Sequence, residues 1–138
     1  MAGTVSDVLT PAPTTVEATQ TVRDAAELMR AGDVGALVVR EDGRFAGLVT
    51  DRDLVVRVLA VGGSPEDPVG QVCSGTVVSV APGDSIEHAA RLMAENAVRR
   101  LPVMIGEDVV GIVSLGDLAI ERDPDSALGA ISAERPNT

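Results

Sequence analysis

Aromatic side chains are almost missing from this chain, and lysine is missing altogether. Its 138 residues contain no Trp, no Tyr and one Phe, and all 11 basic residues are arginine, against 21 acidic residues. Recognition of unstacked bases relies on aromatic platforms, and a net charge of −10 repels phosphate backbones and anionic membrane surfaces. The composition therefore argues against nucleic acids and membranes as partners.

Cysteine and histidine occur once each, as Cys73 and His88. A single cysteine excludes an intrachain disulfide, and one Cys with one His is a poor basis for a zinc site or a nucleophilic catalytic arrangement. We therefore expect neither an enzyme nor a required cofactor. Cys73 is expected to be a small buried hydrophobe, with a disulfide across a dimer or a redox-sensing thiol as alternatives.

Long apolar runs are absent as well. No stretch of the sequence approaches the about 20 apolar residues that a membrane-spanning helix needs, and the first residues show neither a basic region nor an apolar run typical of a signal peptide. These features predict a cytoplasmic protein.

What the chain does contain is one pattern written twice. Residues 5–55 align with residues 69–119 at a constant offset of 64 and without a gap. Most identical pairs are apolar, such as Val39 and Val103, but Asp53 and Asp117 also match. A duplication of this kind predicts two similar units that share a core and are related by a pseudo-two-fold axis.

Each copy predicts the element order β-α-β-β-α, and hence an α+β fold. The helices show apolar residues at i, i+3, i+4 and i+7, with capping signals at Thr21 and Asp84. Their C-terminal caps are predicted at Gly32 and Asn96. Two apolar runs then flank a turn, which predicts a hairpin, and a last helix follows in each copy, at 52–61 and 116–122.

The predicted domain boundaries follow from this repeat. The first copy spans 5–61, a Gly- and Pro-containing linker spans 62–68, and the second copy spans 69–122. We expect the tail, 123–138, to be partly disordered.

A polar motif recurs where each hairpin meets its last helix. The first copy reads Gly-Leu-Val-Thr-Asp-Arg-Asp at 47–53, and the second reads Gly-Ile-Val-Ser-Leu-Gly-Asp at 111–117. A hydroxyl beside free helix amides can hold a phosphate, and a carboxylate can accept hydrogen bonds from a ribose diol. Equally, Thr50 and Ser114 can be N-caps whose capping-box partners are Asp53 and Asp117. Local chemistry alone leaves both readings open.

The duplicated unit and this motif resemble a tandem pair of CBS domains, a Bateman module. The segment Val-Arg-Arg-Leu-Pro-Val at 98–103 is similar to the strand entry of second repeats in that family. The resemblance implies binding of AMP, ADP, ATP or S-adenosylmethionine in clefts between the repeats. It implies ribose contacts from the two motif aspartates and phosphate or ribose contacts from the two hydroxyls. A further implied contact is the main chain around Val16 and Val80 for adenine. Apart from the resemblance, Arg99 and Arg100 can bind phosphate through their guanidinium groups, or they can form surface ion pairs with acidic residues. Arg52 can equally bind phosphate or be an ordinary surface arginine.

Two non-enzymatic functions fit these expectations. One is a stand-alone sensor that binds an adenosyl ligand and signals in trans to an unknown protein partner. The other is a ligand-independent interaction module that forms a homodimer through its apolar helices. The replacement of Asp51-Arg52 by Leu115-Gly116 predicts that the two clefts do not bind a ligand equally well.

Overall fold

The computed structural model describes residues 3–11, 13–75 and 78–122, which form two compact units. The first-repeat unit contains residues 14–75, and the second-repeat unit combines residues 3–11 and 13 with 78–122. In chain order the strands and helices are β1 (Thr10–Pro11), β2 (Thr15–Glu17), α1 (Val22–Gly32), β3 (Ala36–Glu41), β4 (Arg44–Thr50), α2 (Asp51–Leu54), α3 (Ile86–Asn96), β5 (Arg100–Ile105), β6 (Asp108–Ser114) and α4 (Leu115–Arg122).

The first-repeat unit is built on a sheet with strand order β2-β3-β4. Strand β2 pairs in parallel with β3, and β3 forms the predicted hairpin with β4 around Asp42-Gly43. Both turn residues have positive φ angles, 54° and 78°, which is the conformation that Asn, Asp and Gly favour in a tight hairpin turn. Helix α2 then continues into a π-helical segment, Val55–Leu59.

The second-repeat unit has a sheet with strand order β1-β6-β5. The hairpin of β5 and β6 repeats the register of the first unit, because Arg100 faces Ser114 as Ala36 faces Thr50. An isolated parallel bridge between Val80 and Val103 occupies the place of β2. The α+β class and the duplicated architecture are therefore confirmed.

The leading segments of the two repeats, residues 3–11 and 67–75, are exchanged. Thr4 pairs with Ser85 and Thr10 with Ile112, so the first leading segment lies in the second-repeat unit. At the offset of 64, Pro68 pairs with Thr21 and Ser74 with Leu48, which places the second leading segment in the first-repeat unit. Each compact unit is thus completed by the segment that precedes the other repeat's hairpin and helices.

Each unit has its own apolar core, made almost entirely of aliphatic side chains. The exchanged segments contribute directly, because Val5 and Val69 are each 0% exposed. Other fully buried members occur as pairs at the 64-residue offset, namely Ala25 with Ala89, Leu37 with Leu101, Val39 with Val103, and Val49 with Val113. In place of aromatic residues, the chain therefore builds two aliphatic cores in which valine is the most frequent residue.

Several local predictions need correction. Helix α1 begins as expected, with Thr21 and Asp24 in a capping box. Helix α3, however, is capped by Ser85, whose hydroxyl accepts a hydrogen bond from the His88 amide at 3.0 Å. Asp84 instead accepts from the Ala81 amide in the preceding turn. The residue with left-handed φ comes one position later than predicted, at Asp33 and Ala97, each with a φ of 53°.

The structure describes the predicted linker but not the predicted tail. The linker is hydrogen-bonded to the start of α1, because the amides of Val22 and Arg23 donate to the carbonyls of Asp67 and Pro65, each at 2.9 Å. The predicted tail, 123–138, lies outside the described residues. Within the described residues, no helix combines the length and the hydropathy that crossing a membrane requires.

Candidate functional site

The first junction, Thr50–Asp53, joins the end of β4 to the start of α2. The Thr50 hydroxyl accepts a hydrogen bond from the Asp53 amide at 3.1 Å, and Asp53 Oδ2 accepts one from the Thr50 amide at 2.9 Å. These two bonds satisfy donors that a helix start would otherwise leave unpaired. The capping reading of this pair is therefore confirmed.

The second junction, Ser114–Asp117, repeats this geometry between β6 and α4. The Ser114 hydroxyl accepts from the Asp117 amide at 3.1 Å, and Asp117 Oδ2 accepts from the Ser114 amide at 2.9 Å. At both junctions the cap uses one carboxylate oxygen and leaves the other, Oδ1, for a different partner. Capping and ligand binding are thus compatible at the same aspartate.

The first junction does not offer the free amides expected from its sequence. The Asp51 amide donates to the Gly35 carbonyl at 3.0 Å, and the Arg52 amide donates to Asp51 Oδ1 at 2.8 Å. With the two capping bonds, every amide from Thr50 to Asp53 is engaged. At the second junction Leu115 stands in place of Asp51, so the carboxylate that caps the following amide is missing there.

Asp53 is a buried charge, with 8% of the residue exposed. Its Oδ1 lies 3.7 Å from Nε of Arg57, one helical turn further along the chain. Burial of a carboxylate is unfavourable unless it is paired or hydrogen-bonded, and the cap and the guanidinium together supply those interactions. Sequence reasoning missed Arg57, although an acid and a base four residues apart on a helix are an available signal.

Two arginines accompany the second junction at the start of β5. Arg100 faces Ser114 across the hairpin, and the Arg99 carbonyl accepts a hydrogen bond from the Leu115 amide at 2.8 Å. Arg99 is exposed and Arg100 is half-buried, and neither forms an ion pair with a described residue. The fold therefore brings both residues to the Ser114–Asp117 junction.

Of the remaining site candidates, Arg52 would contribute its side chain, whereas Val16 and Val80 would contribute their main chain. Arg52 is exposed at the first junction. Val16 and Val80 are 1% and 3% exposed, so their side chains belong to the cores. The Val80 amide donates to the Pro102 carbonyl at 3.1 Å, and its carbonyl accepts from Met104 at 2.8 Å. Any adenine contact here would come from the adjacent backbone rather than from the peptide groups of Val80.

Cys73 is half-buried against the core of the first-repeat unit. Its Sγ donates a weak hydrogen bond to the Gly70 carbonyl at 3.5 Å. Burial raises the pKa of this thiol, and the nearby charges of Asp53 and Glu41 raise it further. A raised pKa disfavours the reactive thiolate, which fits the role of a small packed side chain.

Among the described residues, no group of three or more acidic, Cys or His side chains is placed to hold a metal ion.

Comparison with known proteins agrees with this architecture. The sequence profile of the CBS domain matches residues 5–60 and again 69–122. The CBS domain-containing protein YhcV of Bacillus subtilis is 41% identical over 126 residues, which cover 91% of this chain and 90% of that protein.

Solved structures show the same fold. The CBS-domain containing protein ATU1752 from Agrobacterium tumefaciens aligns with a TM-score of 0.79 at 30% identity, over 88% of this chain and 95% of that one. The CBS domain pair of protein MJ0100, solved in complex with 5′-methylthioadenosine and S-adenosylmethionine, aligns with a TM-score of 0.79 at 20% identity, over 91% and 100% of the two chains. Because the CBS-domain profile matches the chain twice and a relative of similar length is 41% identical, this chain belongs to the CBS-domain family and carries the domain twice.

Proposed function

We propose that this CBS pair is a cytoplasmic regulatory module that binds an adenosyl ligand, such as AMP, ADP, ATP or S-adenosylmethionine, and signals to a separate protein partner. The observation that carries the proposal is the second carboxylate oxygen at each junction. The helix cap occupies only Oδ2 of Asp53 and Asp117, so Oδ1 can accept the hydroxyls of a ribose. The MJ0100 pair, which has the same fold, was solved with two adenosyl ligands.

The charged side chains near the junctions suit such a ligand. Arg99 and Arg100 at the second junction supply guanidinium groups, which pair well with phosphate oxygens. Asp117 supplies the acceptor for the ribose. In a protein with a net charge of −10, locally concentrated arginines also reduce the repulsion that an anionic ligand would meet. The role is regulatory and involves no chemical change of the ligand.

Calorimetry with AMP, ADP, ATP and S-adenosylmethionine tests the proposal directly. Asp53→Ala and Asp117→Ala should each weaken binding at their own junction by about tenfold or more, since hydrogen bonds to a charged group are the stronger class. Asp24→Ala is the matched control, because Asp24 closes the same kind of capping box on α1. Equal loss of affinity in all three variants, or no binding to the parent protein, would contradict the proposal.

A second candidate function is a ligand-independent homodimer that presents a constant surface to its partner. One observation favours it: the π-helical segment and its continuation expose Val55, Leu59 and Val61, with 54%, 71% and 71% of each residue accessible. Exposed aliphatic side chains in a row are typical of an interaction surface. Sedimentation of the parent and of Leu59→Glu tests it, and a monomeric parent would exclude this candidate.

A further inference from the structure

Arg57 is the nearest cation to the Asp53 carboxylate in the first-repeat unit. Its Nε lies 3.7 Å from Oδ1, the oxygen that the helix cap leaves unused. The Asp53 side chain is 11% exposed and the Arg57 side chain 51% exposed. The guanidinium therefore lies beside the one carboxylate oxygen on which the proposed ribose contact depends.

At the second junction, the described side chains form no such arrangement. The residue 64 positions after Arg57 is Glu121, which reverses the charge at the equivalent place in the sequence. Asp117 keeps the same cap through Oδ2, and among the side chains that the structure describes none pairs with its Oδ1. A ribose reaching Asp117 would therefore compete with no described cation, whereas a ribose reaching Asp53 Oδ1 competes with Arg57 for that oxygen.

We propose that Arg57 determines the ligand preference of the first junction, by penalising an uncharged diol and favouring a diol that carries phosphate. This inference rests on the proposed function, since it concerns the same carboxylate. A neutral nucleoside that takes Oδ1 leaves the guanidinium without its anion. A nucleotide offers that guanidinium a phosphate in exchange, so the cation keeps a partner after the ribose has bound.

The size of the effect follows from the exposure of the Arg57 side chain, about half of which is accessible to water. Ion pairs of this kind are weak because water screens them and because a long side chain must be held in place. Their displacement should therefore cost a neutral ligand only about two- to fivefold in affinity. Salt weakens the pair further, so the affinity for a neutral nucleoside should rise with ionic strength, which is opposite to the behaviour of an anionic ligand.

The experiment measures the affinities for adenosine and AMP. It uses Asp117→Ala as the background, so that only binding at the first junction contributes. In this background Arg57→Gln should bind adenosine about two- to fivefold more tightly, and its preference for AMP over adenosine should fall by about the same factor or more. Arg57→Gln should also abolish the increase in adenosine affinity between about 20 and 300 mM salt. Arg57→Lys retains the charge and should retain most of the AMP preference.

Arg23→Gln is the matched control, because it removes the same charge from another ion pair of the same unit, that with Glu66 at 3.0 Å. The inference would be overturned, and the proposed function left intact, if Arg57→Gln and the background had the same ratio of AMP affinity to adenosine affinity and the same response to salt. If the background binds neither probe while the parent does, the first junction is not a site and the inference fails alone. If the parent binds neither, both fail.

Discussion

At the first junction the residues between hydroxyl and carboxylate are Asp51 and Arg52, and at the second they are Leu115 and Gly116. The capping bonds nevertheless have the same lengths at both, 3.1 and 2.9 Å. The cap depends only on a hydroxyl, a carboxylate and the backbone between them. The intervening side chains are therefore free to differ, and with them the charge that a ligand meets.

The helices that follow differ as well. After Leu54 the chain widens into a π-helical segment, in which the Ala60 amide donates to the Val55 carbonyl and the Gly63 amide donates to that of Val58, each at 2.8 Å. Helix α4 remains α-helical from Leu115 to Arg122. Single π-helical turns are frequent at functional sites, and this one contains Arg57. The duplication has thus preserved the scaffold of the two junctions while their chemical surroundings diverged.

The largest expected effect concerns the glycine that opens each motif. A Cβ added at Gly47 would lie 2.3 Å from the Ser74 carbonyl oxygen, and one at Gly111 would lie 2.7 Å from both the Thr10 carbonyl oxygen and Leu9 Cδ1. Gly47→Ala should lower the free energy of unfolding by about 3 kcal/mol and Gly111→Ala by about 2 kcal/mol, as expected for overpacking against backbone. Urea unfolding measures both.

The control for these variants is Gly75→Ala, because a Cβ at that position would meet no heavy atom of a described, non-adjacent residue within 4 Å. It should change the free energy of unfolding by less than about 0.5 kcal/mol. A loss at Gly47 no larger than that at Gly75 would show that the exchanged segment does not approach β4 as closely as described.

The next effect tests the segment exchange itself. Val5 and Val69 are equivalent and fully buried, but each lies in the unit of the other repeat. Truncation to alanine should cost about 2 kcal/mol of local stability. Val5→Ala should therefore speed amide hydrogen exchange in β5 and β6 by about 30-fold, and Val69→Ala should do so in β3 and β4. Acceleration in the strands of the same sequence repeat would contradict the exchange.

The sequence predicted the elements of both units because each signal is local. Apolar periodicity gave α1 and α3, and Asp42-Gly43 gave the first hairpin turn. The cap at Ser85 was missed because Asp84 with Glu87 three residues later imitates a capping box. The offset of 64 contained the correct signal, since it aligns Ser85 with the true cap Thr21.

The exchange could not be predicted from the repeat pattern. Leu48 and Ile112 present equivalent sheet edges, and the leading segments that carry Thr10 and Ser74 are similar enough to pair with either. Only the path of the chain in three dimensions decides between them. Of the candidate site, the four polar junction residues follow from the motif. The hydrogen bond from the Asp51 amide to the Gly35 carbonyl, by contrast, depends on a contact between distant parts of the chain that the motif does not encode.

A smaller effect distinguishes the helix starts of the two repeats. Thr21 and Asp24 form a complete capping box, whereas Ser85 caps α3 through one bond and has His88 at the position of Asp24. Thr21→Ala should cost about 1.5 kcal/mol, and Ser85→Ala about 0.7 kcal/mol, of unfolding free energy. Thermal unfolding of the two variants compares them. An equal or larger loss for Ser85→Ala would mean that the second bond of the box adds nothing to the cap of α1.

The smallest effect uses Cys73 as a reporter of the charges at the first junction, a probe that the second lacks because its equivalent is Leu9. Burial is the main cause of the raised pKa of the thiol, the Asp53 charge raises it further, and Arg57 lowers it. Only the thiolate reacts with iodoacetamide. In folded protein the pH midpoint of alkylation should therefore move up in Arg57→Gln and down in Asp53→Asn, which keeps the shape of the side chain.

Arg23→Gln again serves as the control for the loss of one positive charge, because its partner is Glu66 rather than Asp53. Its alkylation midpoint should equal that of the parent protein. Shifts of the same sign in Arg57→Gln and Asp53→Asn would mean that the thiol responds to loosened packing and not to charge, since the two substitutions change the local charge in opposite directions. Opposite shifts would establish, without any ligand present, that Arg57 and Asp53 act as opposing charges at the first junction.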